Sequence, residues 1–163
     1  LAYDLKRFSH ILDRYSEFNR PMQITEITIP AYTTQAADEE LQAEILTRLY
    51  KLWFSHPKIE AIIYWNMVDG YAAYAPQGSE EGENYYHGGL LRYDFTKKPA
   101  YDALYHLIHE EWHTVIDGLA AKGEYTFKGF YGDYELEATV NGKVLPLKFT
   151  LSPNDEAEKT FVV

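Results

Sequence analysis

Apolar residues at Leu1, Leu5, Phe8, Ile11, Leu12, Tyr15 and Phe18 recur at intervals of three and four, which predicts a helix from Leu1 to about Phe18 with one apolar face. Asn19, Arg20 and Pro21 end it. The period then changes to two. Met22 to Ile29 (Met-Gln-Ile-Thr-Glu-Ile-Thr-Ile) is the β-branched run of a strand, with Met22, Ile24, Glu26 and Thr28 on one side and Gln23, Thr25, Ile27 and Ile29 on the other. Pro30 closes it. Helical spacing returns behind the acidic residues Asp38, Glu39 and Glu40, with Leu41, Ile45, Leu49, Leu52 and Trp53 as the stripe to be buried and an end near Phe54. After Pro57, Glu60 to Trp65 reads as a second buried strand. Helix, strand, helix, strand with nearly unbroken apolar strands predicts parallel pairing covered by helices, the α/β pattern.

Tyr71 to Leu90 forms a long loop rich in Gly, Glu and Tyr, and loops of that length in compact domains are commonly functional or disordered. Leu90 to Phe95 adds a short extended piece, Thr96 can cap a third helix, and Pro99 fits its first turn. Tyr101, Leu104, Tyr105, Ile108 and Trp112 make that helix's apolar side. At His113 and Thr114 the grammar changes. Gly118 to Gly123 reads as a linker, and from roughly Gly123 the period is two again. Tyr134, Leu136, Ala138 and Val140 alternate with Glu135, Glu137 and Thr139, Asn141-Gly142 is a hairpin turn signal, Leu145, Leu147, Phe149 and Leu151 alternate in turn, and Glu156 to Val163 reads as a last strand. The division expected is 1–114 for the α/β part and 115–163 for a small antiparallel, sandwich-like β domain.

Composition narrows the partners. A net charge of −10 over 163 residues repels a nucleic-acid phosphate surface or an anionic membrane, so neither is an expected partner, while neutral ligands remain open. No run of eighteen or more apolar residues appears to span a bilayer. The absence of cysteine removes disulfides and thiolate metal sites. Because the chain starts at Leu1 in a helical pattern, residues upstream of it, and any signal peptide, are expected to be missing from this sequence. The 15 Tyr, 8 Phe and 3 Trp are flat amphipathic rings of the kind that stack on sugar faces, although the same rings serve to pack cores.

Glu26 is the pointed chemical feature. An ionised carboxylate inside a β-branched run is costly unless paired or placed at the strand's open end, where a substrate could meet it; an edge strand that turns Glu26 to solvent is the plainer alternative. His106, His109 and His113 share adjoining parts of one helix face, a conceivable metal set that reads more simply as surface residues among Glu110 and Glu111. His87 lies beside Tyr85 and Tyr86, where it could line a sugar subsite. Asp69, at a strand exit, is suited to accepting backbone hydrogen bonds, and Glu80, Glu81 and Glu83 read as a solvated acidic run. In the β domain Tyr125, Phe127, Phe130, Tyr131 and Tyr134 could form a sugar platform, but so small a unit needs aromatics for its own core.

Taken in order, Ile24-Thr25-Glu26-Ile27, then Ile63-Tyr64-Trp65-Asn66-Met67-Val68-Asp69-Gly70, then Gly88-Gly89-Leu90-Leu91-Arg92-Tyr93-Asp94 running into Lys98-Pro99-Ala100-Tyr101, the chain resembles the C-terminal part of glycoside hydrolase family 10, the retaining endo-β-1,4-xylanases. The resemblance covers about residues 1–114, and Gly129 to Tyr134 is similar to a β tail behind some bacterial members. It implies an α/β fold: the C-terminal portion of a (β/α)8 TIM barrel, meaning its last two strands with their helices, followed by the small antiparallel β domain. It implies Glu26 as the catalytic nucleophile and Trp65 as a wall beside the sugar; Tyr74 and His87, in the loop that follows, are further candidate substrate-binding residues. Departures are visible. The acidic residue usual two after the nucleophile is Thr28, Gly and Ser of the last strand's exit are Asn66 and Val68, and a second Trp is replaced within Ala72-Ala73-Tyr74. These bear on subsite specificity.

The same resemblance puts the acid/base of the retaining pair at the end of a fourth strand, which this chain lacks. The expected partners are therefore xylan or xylo-oligosaccharides, together with the N-terminal part of the same enzyme or a second chain that completes the barrel. No cofactor or metal is implied, and the expected location is secreted or cell-surface. Two other functions stay in view: a non-catalytic carbohydrate-binding protein and a structural fragment.

Overall fold

The computed structural model describes residues 4–152 and 160–161 and divides the chain into two compact units, Leu1–His109 and Glu110–Val163. In the first unit, α1 (Leu5–Ser16) is capped by Asp4, whose carboxylate accepts from the Arg7 backbone N–H at 2.9 Å. Leu12 is buried, whereas Ile11, Tyr15 and Phe18 stay exposed along the expected apolar face. The strand β1 (Met22–Ile27) pairs in parallel with β2 (Ile59–Tyr64), and α2 (Ala36–Ser55) connects them, packing on the sheet and on α3 (Pro99–His106). The α/β arrangement and its parallel pair are as the sequence pattern predicts.

The alternation along β1 is not. Met22, Gln23 and Ile24 pair with Ile59, Ala61 and Ile62, but Ile27 pairs with Tyr64, so one extra residue is accommodated between Ile24 and Ile27. Glu26 takes it up with a left-handed φ of 56°. Met22 and Ile24 are half-buried while Thr25 and Glu26 are both exposed, so Glu26 does not share a facing with Met22 and Ile24. On β2 and its exit the large apolar side chains of Ile63, Trp65 and Met67 are exposed.

The buried stripe of α2 also differs from the apolar expectation. Ile45, Leu49 and Trp53 are buried, but Leu41 is exposed and Leu52 only half-buried. Glu39, Gln42, Leu46 and Tyr50 are buried in their place, because partners across the fold receive the polar ones. Burial also pushes the Tyr50 phenol up to about 12. Leu90 to Phe95 forms no strand. Leu91 makes only isolated bridges, to Val68 and Lys97, and Arg92 to Phe95 turns back on itself. Lys98 stands at the N-cap of α3 without a side-chain capping bond to the helix, whereas Thr96, expected there, is held by Asp94. Ala100, Leu104 and Leu107 face inward, leaving Tyr105 and Ile108 exposed, and α3 runs on into one π-helical turn, Leu107–Glu111. No helix among the described residues is long and apolar enough to cross a membrane.

The second unit is built on β3 (Gly132–Val140) and β4 (Lys143–Leu151), an antiparallel hairpin. Asn141 and Gly142 both have positive φ, 50° and 77°, as a type I′ turn requires. Tyr134, Leu136 and Ala138 lie opposite Phe149, Leu147 and Leu145, and Tyr134 stacks on Phe149 at 5.2 Å, so these rings pack on one another. The strand expected over 156–163 falls largely outside the described residues, and among the described residues this unit holds the two-stranded sheet β3–β4 and no second sheet of a sandwich. Gly142→Ala is expected to lower the hairpin's stability by about 1 kcal/mol, since an L side chain resists the left-handed turn. The check is the urea midpoint of the chain's β signal, and an unmoved midpoint would refute the turn's role.

Candidate active site

The parallel register brings the C-terminal ends of β1 and β2 side by side, and Glu26 and Trp65 with them. Each strand fixes the other's exit. Trp65 N–H donates to the Ile27 carbonyl at 2.8 Å, and the Thr28 hydroxyl donates to the Trp65 carbonyl at 3.1 Å. The indole is partly exposed (39%), and its Nε1–H donates to Glu83 Oε2 at 2.8 Å. The Asn66 amide donates to the same oxygen at 2.5 Å, from a backbone in the left-handed region (φ 63°) that Asn tolerates better than most residues. These donors hold the Glu83 carboxyl below the usual carboxylate range, Asn66 contributing more than Trp65. Glu83 is thus not one of a merely solvated acidic run.

Behind the strand ends lies a buried polar layer. Lys98, fully buried, donates to Asp69 Oδ2 at 3.1 Å and to the His87 carbonyl at 2.7 Å, and Asp69 Oδ1 accepts the Gly89 N–H at 2.7 Å. A side chain at Gly89 would come within 2.5 Å of the Asp69 backbone nitrogen, so glycine is required by close approach. Asp69 does accept a backbone hydrogen bond, as its position at a strand exit suggested. Burial lowers the Lys98 ammonium from the usual lysine range, and Asp69 opposes that shift. The Tyr64 hydroxyl donates to the Gly88 carbonyl at 2.6 Å, and burial keeps the phenol protonated well above its ordinary range. Gln42 donates to the carbonyls of Ile29 and Gly89, and Arg92 grips the buried Glu39 through two nitrogens at 3.0 and 2.5 Å. Together these contacts tie the loops after both strands to α2.

The other site residues read from the sequence are dispersed. His87, with φ 44°, lines two small adjoining clefts of about 290 and 260 Å³, in company with Thr34 and Glu80. Tyr74 is fully exposed and lines neither cleft. Among the described residues no group of three or more His, Cys, Asp or Glu is placed to hold a metal ion. Sequence reasoning missed the structural roles of Glu83, Glu39, Gln42 and Lys98. Only Glu39 and Gln42 left a signal, because they fall in one stripe with Leu46, Leu49 and Trp53.

An exposed carboxylate at the open end of a strand, beside an indole held by its N–H, is an arrangement that can meet a sugar. No protein-family model matches the chain. It is 32% identical over 143 residues to the anti-sigma-I factor RsgI6 of Acetivibrio thermocellus, covering 87% of this chain and 17% of that protein. It is 23% identical over 146 residues to endo-1,4-beta-xylanase 3 of Arabidopsis thaliana, covering 88% and 17%. The chain thus spans about a sixth of the length of the curated relatives it matches. Among solved structures it is similar to xylanase 10B of Thermotoga petrophila RKU-1, a structure in complex with xylobiose, with a TM-score of 0.52 and 22% identity over 66% of this chain and 32% of that one. The likeness is one of fold. The mixed helices and strands of this chain match part of a TIM barrel.

Proposed function

We propose that this chain is the C-terminal part of a family 10 retaining glycoside hydrolase that cleaves internal β-1,4-xylosidic bonds of xylan, outside the cell or at its surface. The observation that carries the reading is Glu26, exposed at the end of β1 beside Trp65 at the end of β2. The Glu26 carboxylate attacks the anomeric carbon, the bond to the leaving oxygen breaks as an acid protonates that oxygen, and water then hydrolyses the glycosyl ester with the former acid as base. The second carboxyl group must stand roughly 5 to 5.5 Å from the first. In this reading it comes from a strand outside the 163 residues, supplied by the N-terminal part of the enzyme or by a second chain. Trp65 walls the sugar at the cleavage point. Tyr74 and His87 are assigned to more distant subsites, and the chemistry calls for no cofactor.

The experiment is complementation. The 163-residue chain alone is expected to release no xylo-oligosaccharides from xylan, and turnover is expected once the missing strands are supplied. Turnover by the chain alone, or none by the completed barrel, would refute the reading.

A second reading has one observation in its favour: the relative at 32% identity is named an anti-sigma-I factor, not a glycosidase. In that case the completed barrel binds xylo-oligosaccharides without cleaving them. Equilibrium binding with no product formed separates the two.

A further inference from the structure

The exposed carboxylate of Glu83 stands where a loop acid would ordinarily be solvated, yet one of its oxygens collects both side-chain donors of the β2 exit. Trp65 Nε1 lies at 2.8 Å and Asn66 Nδ2 at 2.5 Å. These residues come from different places in the chain. Trp65 and Asn66 follow β2, whereas Glu83 sits in the 3-10 turn Gly82–Tyr86 within the long aromatic loop. From this convergence we infer that Glu83 is a positioning residue, which latches the loop to the strand end and locks the Trp65 indole so that its face, not its N–H, is offered to a ligand. The inference rests on the proposed function for the identity of that ligand, a β-1,4-linked xylo-oligosaccharide.

Three features support it. The backbone of Trp65 is already fixed by Ile27 and Thr28, so the remaining freedom is rotation of the side chain, and a bond to Nε1 removes that freedom. Ordering a ring before a ligand arrives lowers the entropic cost of binding. An indole has a single N–H donor, so once Glu83 engages it the ring can meet a sugar only through its apolar face and edge. Asn66 departs from the glycine of the family pattern, and its left-handed backbone directs an amide to the same carboxylate oxygen, giving the latch two donors where glycine would leave one. The 3-10 turn is itself anchored, because buried Asn84 accepts from the Ala72 N–H at 2.8 Å and donates to the Pro76 carbonyl at 3.2 Å.

The test follows the Trp65 indole N–H resonance and its solvent exchange in the full 163-residue chain, in Glu83→Ala and in Glu83→Gln. Glu83→Ala is expected to shift the resonance and speed exchange by about tenfold, while Glu83→Gln, whose amide oxygen still accepts both bonds, keeps most of the protection. In the completed barrel Glu83→Ala should raise the Kd for xylohexaose about three- to tenfold, with Gln restoring most of the affinity. An unmoved resonance in Glu83→Ala overturns the latch. A moved resonance with unchanged affinity overturns its role in binding. If the unsubstituted barrel binds no xylohexaose, the proposed function fails, and the resonance still decides the latch.

Discussion

Replacing Glu26 by Gln in the completed barrel is expected to lower xylan turnover by on the order of 10⁴-fold or more, the scale on which removal of a catalytic nucleophile acts, with the Kd for xylo-oligosaccharides nearly unchanged. The amide matches the carboxylate in size and supplies no negative oxygen to form the glycosyl ester. Its backbone demand is the same. A non-glycine residue at φ 56° carries strain whichever of the two side chains it bears, so the substitution removes charge without a new conformational cost. The expected split is a collapse of kcat with binding retained, measured separately by product release and by calorimetry. If Glu26→Gln kept turnover within tenfold of the parent, the nucleophile assignment would be wrong.

The place of Glu26 was legible in the sequence, whereas its conformation was not. Periodicity located both strands, and their helical connection implied parallel pairing, which sets Glu26 and Trp65 at the same end. Alternation cannot report an extra residue within a strand, so the bulge and the exposure of both Thr25 and Glu26 had to come from the paired structure. The turn at Asn141-Gly142 was legible because its requirement is local: two successive positive φ angles suit those two residues. Glu83 was opaque for the opposite reason. Its donors lie 18 and 17 residues earlier in the chain, and beside Glu80 and Glu81 it looks solvated. Glu39 and Gln42 were passed over in the stripe of α2 because polar residues are assigned outward unless a partner is known. Their partners, Arg92 and the carbonyls of Ile29 and Gly89, lie 53, 13 and 47 residues away.

The largest expected loss of stability is at Lys98. Its side chain has no solvent exposure, and it is the charged partner of Asp69, whose own side chain is 7% exposed. Lys98→Met keeps the apolar stem but removes the ammonium, leaving the carboxylate buried with the Gly89 N–H and the His87 carbonyl without its donor. Breaking one side of such a pair costs about 3–5 kcal/mol, compared with less than about 1 for an exposed pair such as Arg14–Glu17. Adding Asp69→Asn to Lys98→Met is expected to recover part of the loss, because the uncompensated charge goes while an acceptor for Gly89 remains. The pH dependence has a definite sign. Burial lowers the folded-state pKa of Lys98, so between that value and the ordinary lysine value the unfolded chain binds more protons, and the stability of the parent rises with pH across this window. Lys98→Met should flatten that rise. Because Lys98 and Asp69 hold His87 and Gly89, at the far end of the loop that carries Glu83, the variant should also loosen the Trp65 latch. Urea denaturation at neutral and alkaline pH, together with the Trp65 indole resonance, measures both effects. A loss under about 1 kcal/mol would mean that the pair sits in a far wetter environment than its burial indicates.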